Sequence, residues 1–231
     1  MAPPRTNSPQ NTSAKAARPS AAQETPATAP TLWDPVVRLT HWGVALAVIL
    51  NALVTRGGSL AHVSIGWIVM ALLVLRLVWG GLGPAEARFT AFLPNPRAAL
   101  DHLRQLIRGD RLRDYPSHNP AGAIMIYAFW LALVTVVATG LVMTSGATPM
   151  QVAADQAAVA SGDWSALIRK DDGKEDDSAF GKAAEEVHEM AANLLLILAA
   201  LHVAGVFVES RMMRRNLLAP MLLGAGDKRR K

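Results

Sequence analysis

Four histidines lie inside apolar stretches that are long enough to cross a membrane: His41, His62, His188 and His202. An ionisable side chain is costly at that depth, so a histidine there is expected to have a function. His188 and His202 lie on what reads as one helix, about 21 Å apart along its axis. Their separation of 14 positions is close to four full helical turns, so both face nearly the same way. One helix with an imidazole near each membrane surface suggests two stacked metal centres.

The composition supports a membrane protein with a single domain. Hydrophobic residues make up 51% of the 231 residues and charged residues only 18%, whereas soluble domains carry roughly 25% charge. Four runs approach or exceed the ~20 residues that a membrane helix needs: Val36–Val54, Leu60–Leu82, Gly122–Met143 and Val187–Val208. The predicted fold class is therefore an all-α membrane protein with a four-helix transmembrane bundle.

The bundle is expected to occupy residues 32–223, between two tails of different character. Residues 1–31 are rich in Pro, Ala, Ser and Thr and cannot bury enough apolar surface to fold, so a disordered tail is predicted. Residues 224–231 form a short basic tail. No stretch outside the apolar runs is long enough for a second folded core.

The distribution of charge predicts how the bundle is oriented. The segment 83–120 is rich in arginine and the C-terminal tail is basic, whereas the segment 145–182 is mainly acidic. Under the positive-inside rule, both termini and the segment 83–120 are cytoplasmic, and the acidic segment lies on the outer side. Basic residues at membrane edges also explain the high isoelectric point without a nucleic-acid partner. Within 83–120, the stretch Pro96–Gly109 alternates leucine with charge, which predicts an amphipathic helix on the membrane surface.

This topology sorts the four membrane histidines into two pairs. The first span runs outward, so His41 lies near the cytoplasmic side, where the inward-running fourth span places His202. His62 and His188, each near the start of an inward-running span, both lie near the outer side. Matching by depth therefore pairs His41 with His202 and His62 with His188.

Two imidazoles from different helices are suited to hold a flat haem between the helices. The chain contains no cysteine, which excludes disulfides, cysteine-ligated iron–sulfur clusters and covalently attached haem. With both axial positions filled by histidine, the remaining chemistry is transfer of one electron. Arg38 and Arg76 could pair with haem propionates at the inner site, or could extend to the membrane interface. His102 and His118 lie outside membrane depth and are expected to be surface or structural residues.

Several stretches resemble the prokaryotic cytochrome b561 and nickel–iron hydrogenase b-type cytochrome superfamily. They are Trp-Asp-Pro-Val-Val-Arg-Leu-Thr-His-Trp at 33–42, His-Val-Ser-Ile-Gly-Trp at 62–67, Leu-Arg-Leu-Val-Trp-Gly at 75–80, Asn-Pro-Ala-Gly-Ala at 119–123, Thr-Gly-Leu-Val-Met at 139–143, Val-His-Glu at 187–189 and Leu-His-Val-Ala-Gly-Val at 201–206. The resemblance covers residues from about 32 to 223.

The resemblance implies a four-helix bundle in the bacterial inner membrane with two non-covalent haem b groups. It implies that His41, His62, His188 and His202 are the axial ligands, and it matches Arg38 and Arg76 to basic positions of the family. Members pass electrons between a quinone pool and a redox partner, which is a hydrogenase, a dehydrogenase or a c-type cytochrome. The chain is then expected to be an electron-transfer subunit of a respiratory complex rather than a complete enzyme.

Two other classes of protein place histidines inside a membrane. A transporter or channel could use them as a proton relay, but the sequence shows neither the broken helices nor the inverted repeats of such transporters. A bundle that binds a non-haem metal such as zinc would need clustered ligands, whereas two of these histidines are ~21 Å apart on one helix.

Overall fold

The computed structural model describes residues 34–110, 115, 118–163, 179–214 and 216–223. The expected disordered tail 1–31, the basic tail 224–231 and residues 164–178 of the acidic segment lie outside the described residues. Within the described part of the chain, the regular structure is entirely helical.

Seven α-helices and two short 3-10 turns make up the described structure. The helices are α1 (Pro35–Leu53), α2 (Leu60–Leu82), α3 (Pro96–Arg108), α4 (Pro120–Met143), α5 (Pro149–Ala160), α6 (Ala179–Met212) and α7 (Leu218–Leu223), and the 3-10 turns are Ala85–Ala87 and Phe89–Phe92. Among them, α1, α2, α4 and α6 are long and apolar enough to cross a membrane.

Local sequence explains where these helices begin. Asp34, Asn95, Asn119 and Thr148 each accept a hydrogen bond from a backbone N–H of the first turn, and each is followed by a proline in that turn. Side-chain caps satisfy amides that have no partner within the helix, and proline suits the first turn because its missing N–H is not needed there. The helix α3 ends at Gly109, whose φ of 73° is the left-handed conformation that favours glycine.

The four long helices pack as two hairpins around a small apolar core. The helix α1 packs against α2, and α4 packs most extensively against α6. The core consists of aliphatic residues from all four helices: Ala47, Val69, Leu73, Ala132, Leu133 and Leu195. Leu195 lies midway along α6 between His188 and His202, so this apolar layer separates two ends of the bundle. After the orientation that the sequence predicts, the end with His202 is here called the inner end and the end with His188 the outer end. Many large apolar side chains point outward, such as Leu39 at 61% and Leu131 at 71% exposure, as expected for helices that face lipid.

Three features differ from, or add to, the sequence-based expectations. The helix α6 extends beyond the predicted span Val187–Val208 at both ends. The acidic segment contains a helix that was not expected, α5, which packs against α2 and starts with a reciprocal capping box between Thr148 and Gln151. The amphipathic helix α3 packs against α4. His102 on α3 is buried, with only 3% exposure, and its ring lies 5.9 Å from that of Tyr115 between centroids. His102 is therefore a buried structural residue.

Candidate functional site

The structure brings the four membrane histidines together in two pairs. The ring centroids of His41 on α1 and His202 on α6 are 6.2 Å apart, with an angle of 60° between the ring planes. Those of His62 on α2 and His188 on α6 are 6.3 Å apart, with an angle of 59°. These are the pairs that depth matching predicts, and their two geometries are nearly identical.

The spacing of each pair matches two imidazoles that share one metal ion. A metal–imidazole bond is about 2.0 Å long and the bonded nitrogen lies about 1.1 Å from the ring centroid, so two ligands on opposite sides have centroids about 6.2 Å apart. Within the residues that the structure describes, no group of three or more His, Asp or Glu side chains could hold a metal ion. The donor sets are therefore pairs of histidines, which suits axial ligation of a haem better than a clustered zinc site.

An apolar cavity of about 210 Å³ lies at the outer pair and is lined by His62, His188 and mainly apolar side chains. Gly66 and Gly140 also line it. A Cβ atom added at Gly66 would meet no atom within 4 Å, and one at Gly140 would lie 3.4 Å from Cε1 of His188. The two glycines thus keep α2 and α4 free of side chains beside the imidazoles, as a flat macrocycle would require.

Both outer histidines contact a threonine hydroxyl through Nδ1. The distance from His62 Nδ1 to Thr55 Oγ1 is 3.3 Å, and that from His188 Nδ1 to Thr139 Oγ1 is 2.9 Å. Hydrogen bonds at this ring nitrogen orient metal-binding histidines, because they leave Nε2 to bind the metal.

The inner pair is surrounded mainly by aromatic rings. Trp42 lies edge-on to His41 at 5.1 Å between centroids, and Phe129 lies edge-on to His202 at 5.8 Å. His41 Nδ1 is buried and has no hydrogen-bond partner among the described residues.

Arg76 on α2 is buried at the inner end of the bundle. Its Nη2 donates to the carbonyl oxygen of Ala87 at 3.1 Å, and its guanidinium lies 5.4 Å and 5.8 Å from the ring centroids of Phe89 and Trp130. Its Nη1 is buried and has no partner among the described residues. A buried, unpaired, cationic donor is rare and favours the binding of an anion such as a carboxylate.

Arg38, the other arginine singled out from the sequence, joins α1 to α7. Its Nε donates to the carbonyl oxygen of Met221 at 3.2 Å and its Nη2 to that of Leu222 at 2.6 Å. Trp42 Nε1 also donates to the Met221 carbonyl, at 3.2 Å. These contacts give Arg38 a role in holding the C-terminal helix against α1. A role in binding a propionate stays a prediction.

Sequence reasoning missed the position of His118. This residue lies on the loop before α4, and its ring is 4.8 Å from that of Phe92 between centroids. Burial, together with the nearby Arg76 and His202, lowers the pKa of His118 from 6.5 to about 4, so this residue is close to the inner pair. The signal in the sequence is the Asn-Pro pair that follows His118. Asn119 caps α4, and its side chain also donates to Glu209 of α6 at 2.8 Å. These contacts fix the loop at the inner end of the bundle.

A comparison with known protein families finds a match that spans most of the chain. The family model described as prokaryotic cytochrome b561 matches residues 32–224. No curated protein and no solved structure matches the chain. The matched region contains both histidine pairs and Arg38 and Arg76.

Proposed function

Since the chain belongs to the prokaryotic cytochrome b561 family, a family of membrane-bound b-type cytochromes in electron transfer, we propose that it binds two haem b groups. One would be held by His41 and His202, and the other by His62 and His188. Four helices able to cross a membrane agree with a multi-pass membrane protein. The observation that carries the proposal is the pair of neighbouring imidazoles at each of two depths, with ring centroids 6.2 Å and 6.3 Å apart.

The haem, when bound, supplies one-electron oxidation and reduction at its iron. The two histidines of each pair would hold the iron through their ring nitrogens, which would leave no position on it for a substrate. Gly66 and Gly140 leave space for the macrocycle at the outer pair. The buried, unpaired Nη1 of Arg76 is suited to bind a propionate at the inner pair.

We further propose that electrons move through the two sites between a quinone and a redox partner protein. The partner would be a hydrogenase, a dehydrogenase or a c-type cytochrome, and the chain would act as one subunit of a respiratory complex. The chain would lie in the bacterial inner membrane. The positive-inside rule supports an orientation with both termini in the cytoplasm, which would leave the His41 pair on the cytoplasmic side. An outer side that is acidic in sequence would attract a basic partner.

The test is the haem content of the purified protein and of single histidine variants. The wild type should contain two haems per chain and show sharp reduced-haem bands in the visible spectrum. His62→Ala and His188→Ala should each leave one haem, and the spectrum of that haem should be the same in both variants. His41→Ala and His202→Ala should each leave the other haem.

A control histidine is available in His102, which is buried outside both pairs. His102→Gln should retain two haems, so a loss specific to the four membrane histidines can be separated from a general loss of folding. A colourless wild-type protein would refute the proposal and favour the transporter or non-haem metal alternatives, which metal analysis distinguishes. If His62→Ala and His41→Ala removed the same haem, the pairing would be wrong.

A further inference from the structure

The hydroxyl of Thr139 can donate only one hydrogen bond, and a carbonyl oxygen of the helix backbone accepts it. Thr139 Oγ1 donates to the carbonyl oxygen of Thr135, one turn earlier in α4, at 2.7 Å. The same oxygen lies 2.9 Å from His188 Nδ1. Because a hydroxyl has one donor and two acceptor positions, Thr139 must accept from His188. His188 therefore carries its proton on Nδ1, and its Nε2 presents a lone pair.

Thr55 repeats this arrangement on the other side of the outer pair. Its Oγ1 lies 3.1 Å from both the carbonyl oxygen and the side-chain oxygen of Asn51, which can only accept. The Thr55 hydroxyl thus donates to Asn51 and accepts from His62 Nδ1 at 3.3 Å. Asn51 is itself held by a hydrogen bond from its Nδ2 to the backbone carbonyl of His62 at 3.3 Å.

The inner pair differs from the outer pair in the hydrogen bonding of Nδ1. Nδ1 of His41 is buried and has no hydrogen-bond partner in the described part of the chain. Its surroundings are the aromatic ring of Trp42 and the ring of His202. The two sites therefore have matching ring spacing but different polar contacts behind the rings.

We propose that Thr55 and Thr139 are positioning residues that fix the outer imidazoles in their Nδ1–H forms and tune the outer haem alone. This inference rests on the proposed function, because it concerns how the chain treats the haem of that site. An imidazole whose Nδ1–H donates a hydrogen bond is a more basic ligand at Nε2. A more basic ligand favours ferric over ferrous iron, so the two hydroxyls lower the reduction potential of the outer haem.

The experiment is a redox titration of each haem in the purified holoprotein, followed in the visible spectrum and by electron paramagnetic resonance. Thr139→Val keeps the shape of the side chain and removes the hydroxyl, which leaves the backbone carbonyl of Val136 as the remaining acceptor near His188. The equilibrium between ferric and ferrous iron at the outer haem should shift about fivefold towards ferrous iron, the effect of losing one ordinary hydrogen bond. For a one-electron couple, this shift raises the reduction potential by ~40 mV. Thr139→Ser retains the hydroxyl and should titrate as the wild type does.

A matched control lies one turn away on the same helix. Thr135 Oγ1 donates to the carbonyl oxygen of Leu131, at 2.8 Å, and the residue is half-buried. Thr135→Val therefore removes the same kind of hydroxyl without touching a histidine and should leave both potentials unchanged. In the His62→Ala background, where the outer haem is absent, Thr139→Val should also have no effect on the remaining haem.

The outcomes separate the inference from the proposed function. A wild type without haem refutes the proposed function and removes the basis of the inference with it. A wild type with two haems whose potentials are the same in Thr139→Val and Thr55→Val refutes the inference alone. The inference is also refuted if each of these variants shifts the potentials of both haems equally or loses both haems, because the effect of the substitution would then be structural. Loss of the outer haem in Thr139→Val, with both haems kept in Thr139→Ser and Thr135→Val, supports it.

Discussion

Asp34 connects the first two membrane helices at the inner end of the bundle, and its removal should have a measurable effect on stability. One carboxylate oxygen, Oδ1, accepts hydrogen bonds from the backbone N–H groups of Val36 at 2.9 Å and Val37 at 3.1 Å. The same oxygen accepts from Trp79 Nε1 of α2 at 3.0 Å. Asp34 is thus both the cap of α1 and a tie between α1 and α2, two turns before His41.

The size of the effect of Asp34→Ala follows from these contacts. Loss of an N-cap costs about 1 kcal/mol, and loss of the indole hydrogen bond to a carboxylate costs about 1.5 kcal/mol, so the free energy of unfolding should fall by about 2.5 kcal/mol. In a chain of this length, 1 kcal/mol corresponds to about 2–4 °C in Tm, which gives a decrease of about 5–10 °C. The measurement is thermal denaturation in detergent, followed by circular dichroism.

Two further variants make this prediction specific. Asn95 caps α3 through a single hydrogen bond, which its Oδ1 accepts from the Ala98 N–H at 3.1 Å. Asn95→Ala should therefore lower Tm by only about 2–4 °C. Asp34→Asn retains both the cap and an acceptor for Trp79 and should be close to the wild type. If Asp34→Ala lowered Tm no more than Asn95→Ala, the bond to Trp79 would contribute nothing and the reasoning about this junction would be refuted.

Two other predictions concern the inner end of the bundle. Because burial lowers the pKa of His118 from 6.5 to about 4, the unfolded chain takes up a proton in that range and the folded chain does not. The free energy of unfolding should therefore fall as the pH drops from 6.5 towards 4, by at most about 1.4 kcal/mol per pH unit. The Tm of His118→Asn should decrease less between pH 7 and 5 than that of the wild type. An equal decrease in the two proteins would contradict the assignment. Arg38→Ala should release α7 and speed hydrogen exchange in 218–223, whereas Arg88→Ala, which loses only a bond to the Gly83 carbonyl, should not. If Arg38→Ala instead lost the inner haem with unchanged exchange, Arg38 would act on the cofactor, as the sequence suggests.

The sequence predicts the long helices and the family well, because both depend on features that are local or continuous along the chain. Apolar length alone identifies four helices able to cross a membrane, and the match over residues 32–224 confirms the resemblance to the prokaryotic cytochrome b561 family. The pairing of the membrane histidines could also be inferred, since helix rise fixes the depth of each residue once the direction of its span is known.

The parts that the sequence did not predict depend on contacts between distant segments. Distance from the apolar runs predicts surface or structural roles for His118 and His102 and does not show that the loop before α4 and the helix α3 fold back onto the bundle. The position of Arg38 one turn before His41 suggests a role at the cofactor, whereas its contact with α7 depends on residues 183 and 184 positions later. No local pattern carries such information.

The aliphatic layer that contains Leu73, Leu133 and Leu195 has a consequence for energy conversion. It lies between two sites ~21 Å apart along α6, and this distance is about two thirds of the ~30 Å hydrocarbon thickness of a bilayer. An electron that passes between the proposed haems would cross a similar share of the membrane voltage, which amounts to roughly 1.6 kcal/mol per 100 mV. Aliphatic side chains offer protons no hydrogen-bonded route through this layer, so the electron would move without a compensating charge and the transfer would be electrogenic.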